Sequence, residues 1–123
     1  MCKIIIEGQV PSLKNAKKIS INPKTGQRFV RTETRVKEYM DEAKESVRQQ
    51  WRGVPLEEVE HITCVIYNKD KRKHDLGNEW DTLADILSGI VYTDDNQFCV
   101  GSVQLTYGGV DKARPRAELW IDF

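Results

Sequence analysis

The sequence has no long apolar run, no matched set of cysteines and no net charge. None of its hydrophobic stretches approaches the roughly 20 residues that a membrane-spanning helix requires. Ile4-Ile5-Ile6 is too short for the apolar centre of a signal peptide. No membrane partner is therefore expected, and a cytoplasmic location is. The three cysteines are Cys2, Cys64 and Cys99. Their odd number and their spacing fit neither a disulfide framework nor a zinc pattern. All three are expected to be reduced and structural, with Cys64 buried in an apolar strand. Repeats, linkers and low-complexity tracts are also missing. A chain of 123 residues with 39% hydrophobic content then suits one domain, 1–123, around one core.

Zero net charge is uninformative about nucleic acid, but the charges are segregated. Lys14, Lys17, Lys18, Lys24, Arg28 and Arg31 fall between Pro11 and Arg31 with no acid among them. Lys69, Lys71, Arg72 and Lys73 follow later, interrupted by Asp70. Acids gather between Asp75 and Asp95. Such segregation suits a surface that meets a polyanion beside a site that holds metal. Taken singly, each basic run reads first as a solvated loop.

Hydrophobic periodicity predicts the order β-α-β-α-β-β, an α/β domain with a mixed sheet and two main helices. Strands are expected at 3–10, 58–67, 98–107 and 116–123. Pro11–Arg31, with Asn22-Pro23 and Thr25-Gly26, reads as a loop or irregular hairpin. A helix follows from Thr32, with Val36, Met40, Ala43 and Val47 on one face and Gly53 and Pro55 ending it. A second helix is expected over 78–88, stopped by Gly89. Ile90-Val91-Tyr92 reads as a short extended run. Gly108-Gly109 and Asp111 supply turn chemistry, so the last two strands are expected to pair antiparallel.

The chemistry lies in and around the second helix. On a wheel of about 100° per residue, Trp80, Leu83, Ala84 and Leu87 share one side. Asn78, Asp81, Thr82 and Asp85 share the other. Asp81 and Asp85 are one turn apart, and like charges so placed cost an isolated helix roughly 0.2–0.5 kcal/mol. Asp75 precedes the helix, where it also suits a cap. Asp94 and Asp95 follow a further turn, and a chain folding back there brings them toward the helix start. Converging acids raise one another's pKa, and Mg²⁺ or Mn²⁺, which favour hard oxygen ligands, relieve the repulsion. Beside a basic loop, such a site implies phosphoryl chemistry. The alternative is an acidic solvent face followed by an Asp-Asp turn.

His74-Asp75-Leu76-Gly77-Asn78, then Asp85-Ile86-Leu87, then Asp94-Asp95-Asn96-Gln97 resemble the signature of RusA-type Holliday junction resolvases. That family shows a basic run, Asp-Leu-Asp-Asn, a helix with Asp-Ala-Leu, and Asp-Asp-x-Gln. Gly8-Gln9-Val10-Pro11 and the helix carrying Tyr39 resemble its N-terminal half more weakly. The resemblance implies a RusA-like fold and a homodimer acting on branched DNA, the four-way junction. It implies Mg²⁺-dependent paired cleavage in DNA recombination and repair, in a family often carried by phages or prophages. Asp75 matches the first catalytic Asp and Asp95 that of the Asp-Asp pair. Asn78 and Asp85 match polar helix positions.

Two positions depart from the pattern. Gly77 stands where a second Asp is expected, and Asp81 where a Lys is expected. Asp81 shares a face with Asn78 and Asp85, so it is expected to return the missing carboxylate. Asp75, Asp95, Asp81 and Asp85 are thus the candidate catalytic and metal-binding set, with Asn78 and Asp94 in support. Lys71, Arg72, Lys73 and His74 are expected at phosphates near the scissile bond. Lys14, Lys17, Lys18, Arg28 and Arg31 are expected on the junction arms. Trp80 and Trp120 are expected in the core and His61 in a structural role. Tyr92 and Phe98 flank the Asp-Asp turn, at a dimer interface or as a wedge. The rival readings are a RusA-like protein that binds branched DNA without cutting, a nuclease for flaps, forks or structured RNA, and a metal-binding structural domain.

Overall fold

The computed structural model describes residues 1–12, 17–32 and 34–123; for 17–20 and 29–32 it describes the backbone alone. The elements are β1 (Cys2–Glu7), β2 (Lys17–Ile21), β3 (Arg28–Thr32), α1 (Thr34–Gln50), β4 (His61–Asn68), α2 (Leu76–Leu87), β5 (Val103–Val110) and β6 (Arg116–Asp122). The predicted βαβαββ order is present. The Pro11–Arg31 stretch contributes an antiparallel hairpin, β2–β3, in which Lys18 lies opposite Arg31. Its turn is tied by Gly26 N–H donating to Asn22 O at 2.8 Å, with Gly26 at φ 71°.

The main sheet has four strands in the order β1-β6-β4-β5. Alternation along each strand gives it one apolar face. Ile4 and Ile6, Ile62, Cys64 and Ile66, and Ala117, Leu119 and Ile121 are fully buried on that face. Val36, Met40, Ala43 and Val47 of α1 complete the core with Leu83, Ile86 and Leu87 of α2. Each such aliphatic side chain contributes roughly 1.5–3 kcal/mol by leaving water. β1 is an edge strand, and Gln50 at the end of α1 covers part of it. Ile5 N–H donates to Gln50 Oε1 at 2.9 Å, and Gln50 Nε2 donates to Ile5 O at 2.7 Å. The amide imitates a neighbouring strand and anchors α1 to β1.

The last two strands correct the expectation of an antiparallel pair. β4 lies between them, parallel to β5 and antiparallel to β6. The crossover through α2 places β5 parallel to β4 on the sheet edge, and β6 returns on the other side of β4. Gly108-Gly109 is a bulge inside β5: Tyr107 faces Ile66 while Gly109 faces Tyr67. A Cβ on Gly108 would lie 2.7 Å from Tyr67 Cε1, and Gly109 has φ +105°. The turn itself comes later, where Asp111 Oδ1 accepts from Arg114 N–H at 3.1 Å.

Residues 98–102 are not strand either. Asn96 Oδ1 accepts from the N–H groups of Phe98 and Cys99, at 2.9 and 3.2 Å, and closes a turn. Ile90-Val91-Tyr92 forms turns as well, with Gly89 at φ +84°. Tyr92 is fully buried and its hydroxyl donates to Ala84 O at 3.2 Å. It is a core residue and neither an interface nor a wedge; Phe98 beside it is 80% exposed. Trp80 packs partly buried against the core. Trp120, expected in the core, is half-buried on the opposite, outer face of the sheet beneath Lys3. Its position in β6 is one residue out of step with the buried Leu119 and Ile121.

Candidate active site

Strand β4 ends in the basic loop, and the loop ends in Asp75. Asp70 shapes the loop by accepting from Arg72 N–H at 3.0 Å. That hydrogen bond, with the charges of Arg72, Lys69 and His74, holds the Asp70 carboxyl below its usual range. Lys71, Arg72 and Lys73 are exposed, and His74 Nε2 lies 3.8 Å from Asp70 Oδ1.

Asp75 is the N-cap of α2. Its Oδ1 accepts from Asn78 N–H at 3.0 Å, and its carbonyl accepts from Glu79 N–H at 3.0 Å. The cap uses one carboxylate oxygen. Gly77 lies in the first turn, and a Cβ there would sit 3.1 Å from Asp75 Oδ1. Asp81 and Asp85 stand exposed on the outer face of α2. Thr82 leaves the polar side of the wheel: it is fully buried and donates to Pro11 O at 2.7 Å.

The Asp-Asp turn returns to this outer face. Asp94 acts as a turn residue, its Oδ1 accepting from Asp95 N–H at 2.8 Å and its Oδ2 from Asn96 Nδ2 at 3.1 Å. Partial burial raises the Asp95 carboxyl above the usual range, and the charges of Asp81, Asp94 and Asp85 add to the rise. The fold thus sets Asp81, Asp85, Asp94 and Asp95 in one field. Asp75 is not among the groups acting on Asp95; its charge falls on Glu79 instead. Among the described residues, no three His, Cys, Asp or Glu side chains form a ready-made metal cage.

Glu79 escaped the sequence reading. It is 1% exposed, and neither carboxylate oxygen has a hydrogen-bond partner. Burial, then the Asp75 charge, pushes its pKa to about 7. The signal was available: Glu79, Leu83 and Ile86 follow the i, i+4, i+7 spacing of the buried stripe. Lys14 lies outside the described residues, as do the side chains of Lys17, Lys18 and Arg31. Arg28 is exposed at the start of β3. His61 Nδ1 and Ser102 Oγ are 2.6 Å apart, away from the acids in sequence.

Carboxylates gathered on the outer side of α2, with a basic loop leading into its N-cap, are side chains that phosphodiester chemistry can use. The family model described as Endodeoxyribonuclease RusA matches residues 11–121. The chain belongs to the RusA endodeoxyribonuclease family, and in general terms is a Holliday junction resolvase nuclease. A comparison with curated proteins returned no match. Among the described residues, no helix is long and apolar enough to cross a membrane.

Proposed function

We propose that the chain is a Mg²⁺-dependent endonuclease, with Mn²⁺ as a substitute, that resolves four-way DNA junctions by paired phosphodiester hydrolysis. A homodimer would place one site at each of two opposed strands. The observation that carries the metal reading is the crowding of Asp95 by Asp81, Asp94 and Asp85 with no cation among the described residues to relieve it. These are hard oxygen donors, which suit Mg²⁺. Bound there, the ion would polarise a phosphate oxygen and make water a better nucleophile.

Asp75 and Asp95 are the proposed ligands. Asp81 and Asp85 act with them, either directly or by orienting bound water. Asp81 stands in for the acid absent at Gly77. Asn78 and Asp94 hold backbone geometry around the ligands. Lys71, Arg72, Lys73 and His74 contact phosphates at the cut. Lys14, Lys17, Lys18, Arg28 and Arg31 contact the arms, where each phosphate neutralised steepens the salt dependence by about 0.9 in log–log slope.

The test is a synthetic four-way junction incubated with the full chain and Mg²⁺, Mn²⁺ or EDTA. Paired symmetric nicks with either metal and none with EDTA are the expected result. A second reading follows from Gly77: a branched-DNA-binding protein of weakened activity. It predicts tight junction binding without nicks. Preferential cutting of flaps or forks would replace the junction as substrate.

A further inference from the structure

Among the described residues, the buried side-chain polar atoms that lack a partner are Ser12 Oγ, Tyr39 Oη and both oxygens of Glu79. A buried hydroxyl left unpaired costs about 1–3 kcal/mol. These four atoms are not scattered. Ser12 and Tyr39 line the same cleft, and the Glu79 charge acts on the Tyr39 hydroxyl. The cleft has a volume of about 340 Å³. It opens between the end of β1, the first turns of α1 and the loop that leads into Asp75.

Among the described residues, its charged lining is Arg35, Lys69 and Arg72, with the His74 imidazole beside them and no Asp or Glu. Arg35 and Lys69 make no ion pair among the described residues. The first turn of α1 carries no acid, so its positive end is not neutralised from within. Val36 gives the cleft an apolar wall. The Tyr39 ring is held from behind by Gly8, where an added Cβ would lie 3.4 Å from Cε2.

We infer that this cleft binds one unpaired nucleotide of the DNA substrate, its phosphate on the cationic rim and its base against Tyr39. A duplex phosphate contact needs only surface cations. It would leave the Ser12 and Tyr39 hydroxyls, both closed to solvent in the free protein, unpaired, whereas a base that displaces the cleft wall offers both a donor and an acceptor to them. The volume falls at the small end of ligand pockets, roughly 300–1,000 Å³, which admits a nucleotide and excludes a helix. Taking a base out of the stack costs a few kcal/mol in a duplex and least where it is already unpaired. A branch point is such a place. The cleft would thus select branched over linear DNA and fix the strand that runs on to Asp75. This inference rests on the nuclease reading above.

The test uses amide NMR spectra of the full chain titrated with deoxynucleoside 5′-monophosphates. Inorganic phosphate and the deoxynucleosides serve as controls. Nucleotides should move the signals of Ser12, Arg35, Tyr39 and Lys69. Binding should weaken about tenfold in Arg35→Ala and in Tyr39→Phe, the worth of one lost contact. Tyr39→Phe deletes only a hydroxyl that has no partner, so the fold is spared. Phosphate binding as tightly as the nucleotide, unchanged affinity in both variants, or shifts elsewhere would overturn the inference. A junction carrying 2-aminopurine at the branch should brighten on binding the wild type and less with Tyr39→Phe; equal brightening also overturns it. Metal-dependent junction cutting without nucleotide binding removes the cleft and leaves the nuclease. Nucleotide binding without cutting does the reverse.

Discussion

On the outer face of the sheet, the acids around β6 have cations. Lys3 Nζ lies 2.9 Å from Glu118 Oε1, and Arg116 reaches Glu118 Oε2 at 3.0 Å and Asp111 Oδ2 at 2.8 Å. Arg114 pairs with Glu7, and the Arg116 guanidinium stacks 4.0 Å from the Tyr67 ring centroid. The hydrogen bond from Lys3 holds Glu118 below its usual range, and that from Arg116 does the same for Asp111. Around α2 the pattern inverts. Asp75, Glu79, Asp81, Asp85, Asp94 and Asp95 have no cation among the described residues, and Glu79 and Asp95 titrate high. Paired acids hold a fold together. Unpaired acids work against it, and this is the ground for proposing a bound cation around α2.

The comparison breaks most sharply at the unpaired end. Asp95→Asn should reduce Mg²⁺-dependent junction cleavage by more than the roughly 100-fold that losing an outer partner costs. Its thermal midpoint should hold or rise, because one repelling charge is gone. Asp81→Ala should likewise abolish cutting and spare junction binding in a gel-shift assay. Full activity in that variant would sever Asp81 from the site and leave Gly77 uncompensated.

Glu79 is next in size. Its folded pKa, about 7, stands above the ordinary 4.5, so the folded state holds a proton that the unfolded state has released. Stability should therefore fall as pH rises from about 4.5 to about 7 and level off above. The loss is on the order of 3 kcal/mol. Glu79→Leu should abolish this slope and raise the urea midpoint at pH 8. An unchanged pH profile would show that Glu79 acquires a partner in solution.

On the paired face, Gly108→Ala should cost roughly 1–3 kcal/mol by overpacking, read as a lower urea midpoint. Its Cβ would strike the Tyr67 ring on which Arg116 stacks. The smallest effect belongs to Glu118→Gln, and its sign opposes that of Glu79. A depressed carboxyl contributes stability above the ordinary carboxylate range and loses it as pH falls through the folded pKa. The variant should flatten the acid limb of the stability profile and leave the neutral range alone. A variant that altered the neutral range instead would show that the two faces are not independent.

Much of this molecule was legible in one dimension. Strand alternation marked Ile62, Cys64 and Ile66 as inward, and helical spacing marked Val36, Met40, Ala43 and Val47, because burial follows periodicity within a single element. The family was legible in the Asp75–Asp95 motif, and the match over residues 11–121 shows that family. Gly108-Gly109 misled because a bulge and a hairpin turn both need a residue without a side chain. Which one forms depends on whether β4 intervenes, and that is a property of the sheet. Glu79 escaped because a carboxylate is expected at the surface, an expectation that hid its place in the buried stripe with Leu83 and Ile86.

The sequence alone determined the element order, the two amphipathic helices and the family of carboxylates, since these depend on neighbours along the chain. Tertiary structure decided which acids share a field, which acid is buried, and that Ser12, Tyr39 and the cations of two distant segments enclose one cleft. Those outcomes depend on contacts between residues far apart in sequence, set by how α1 and α2 pack on one face of the sheet.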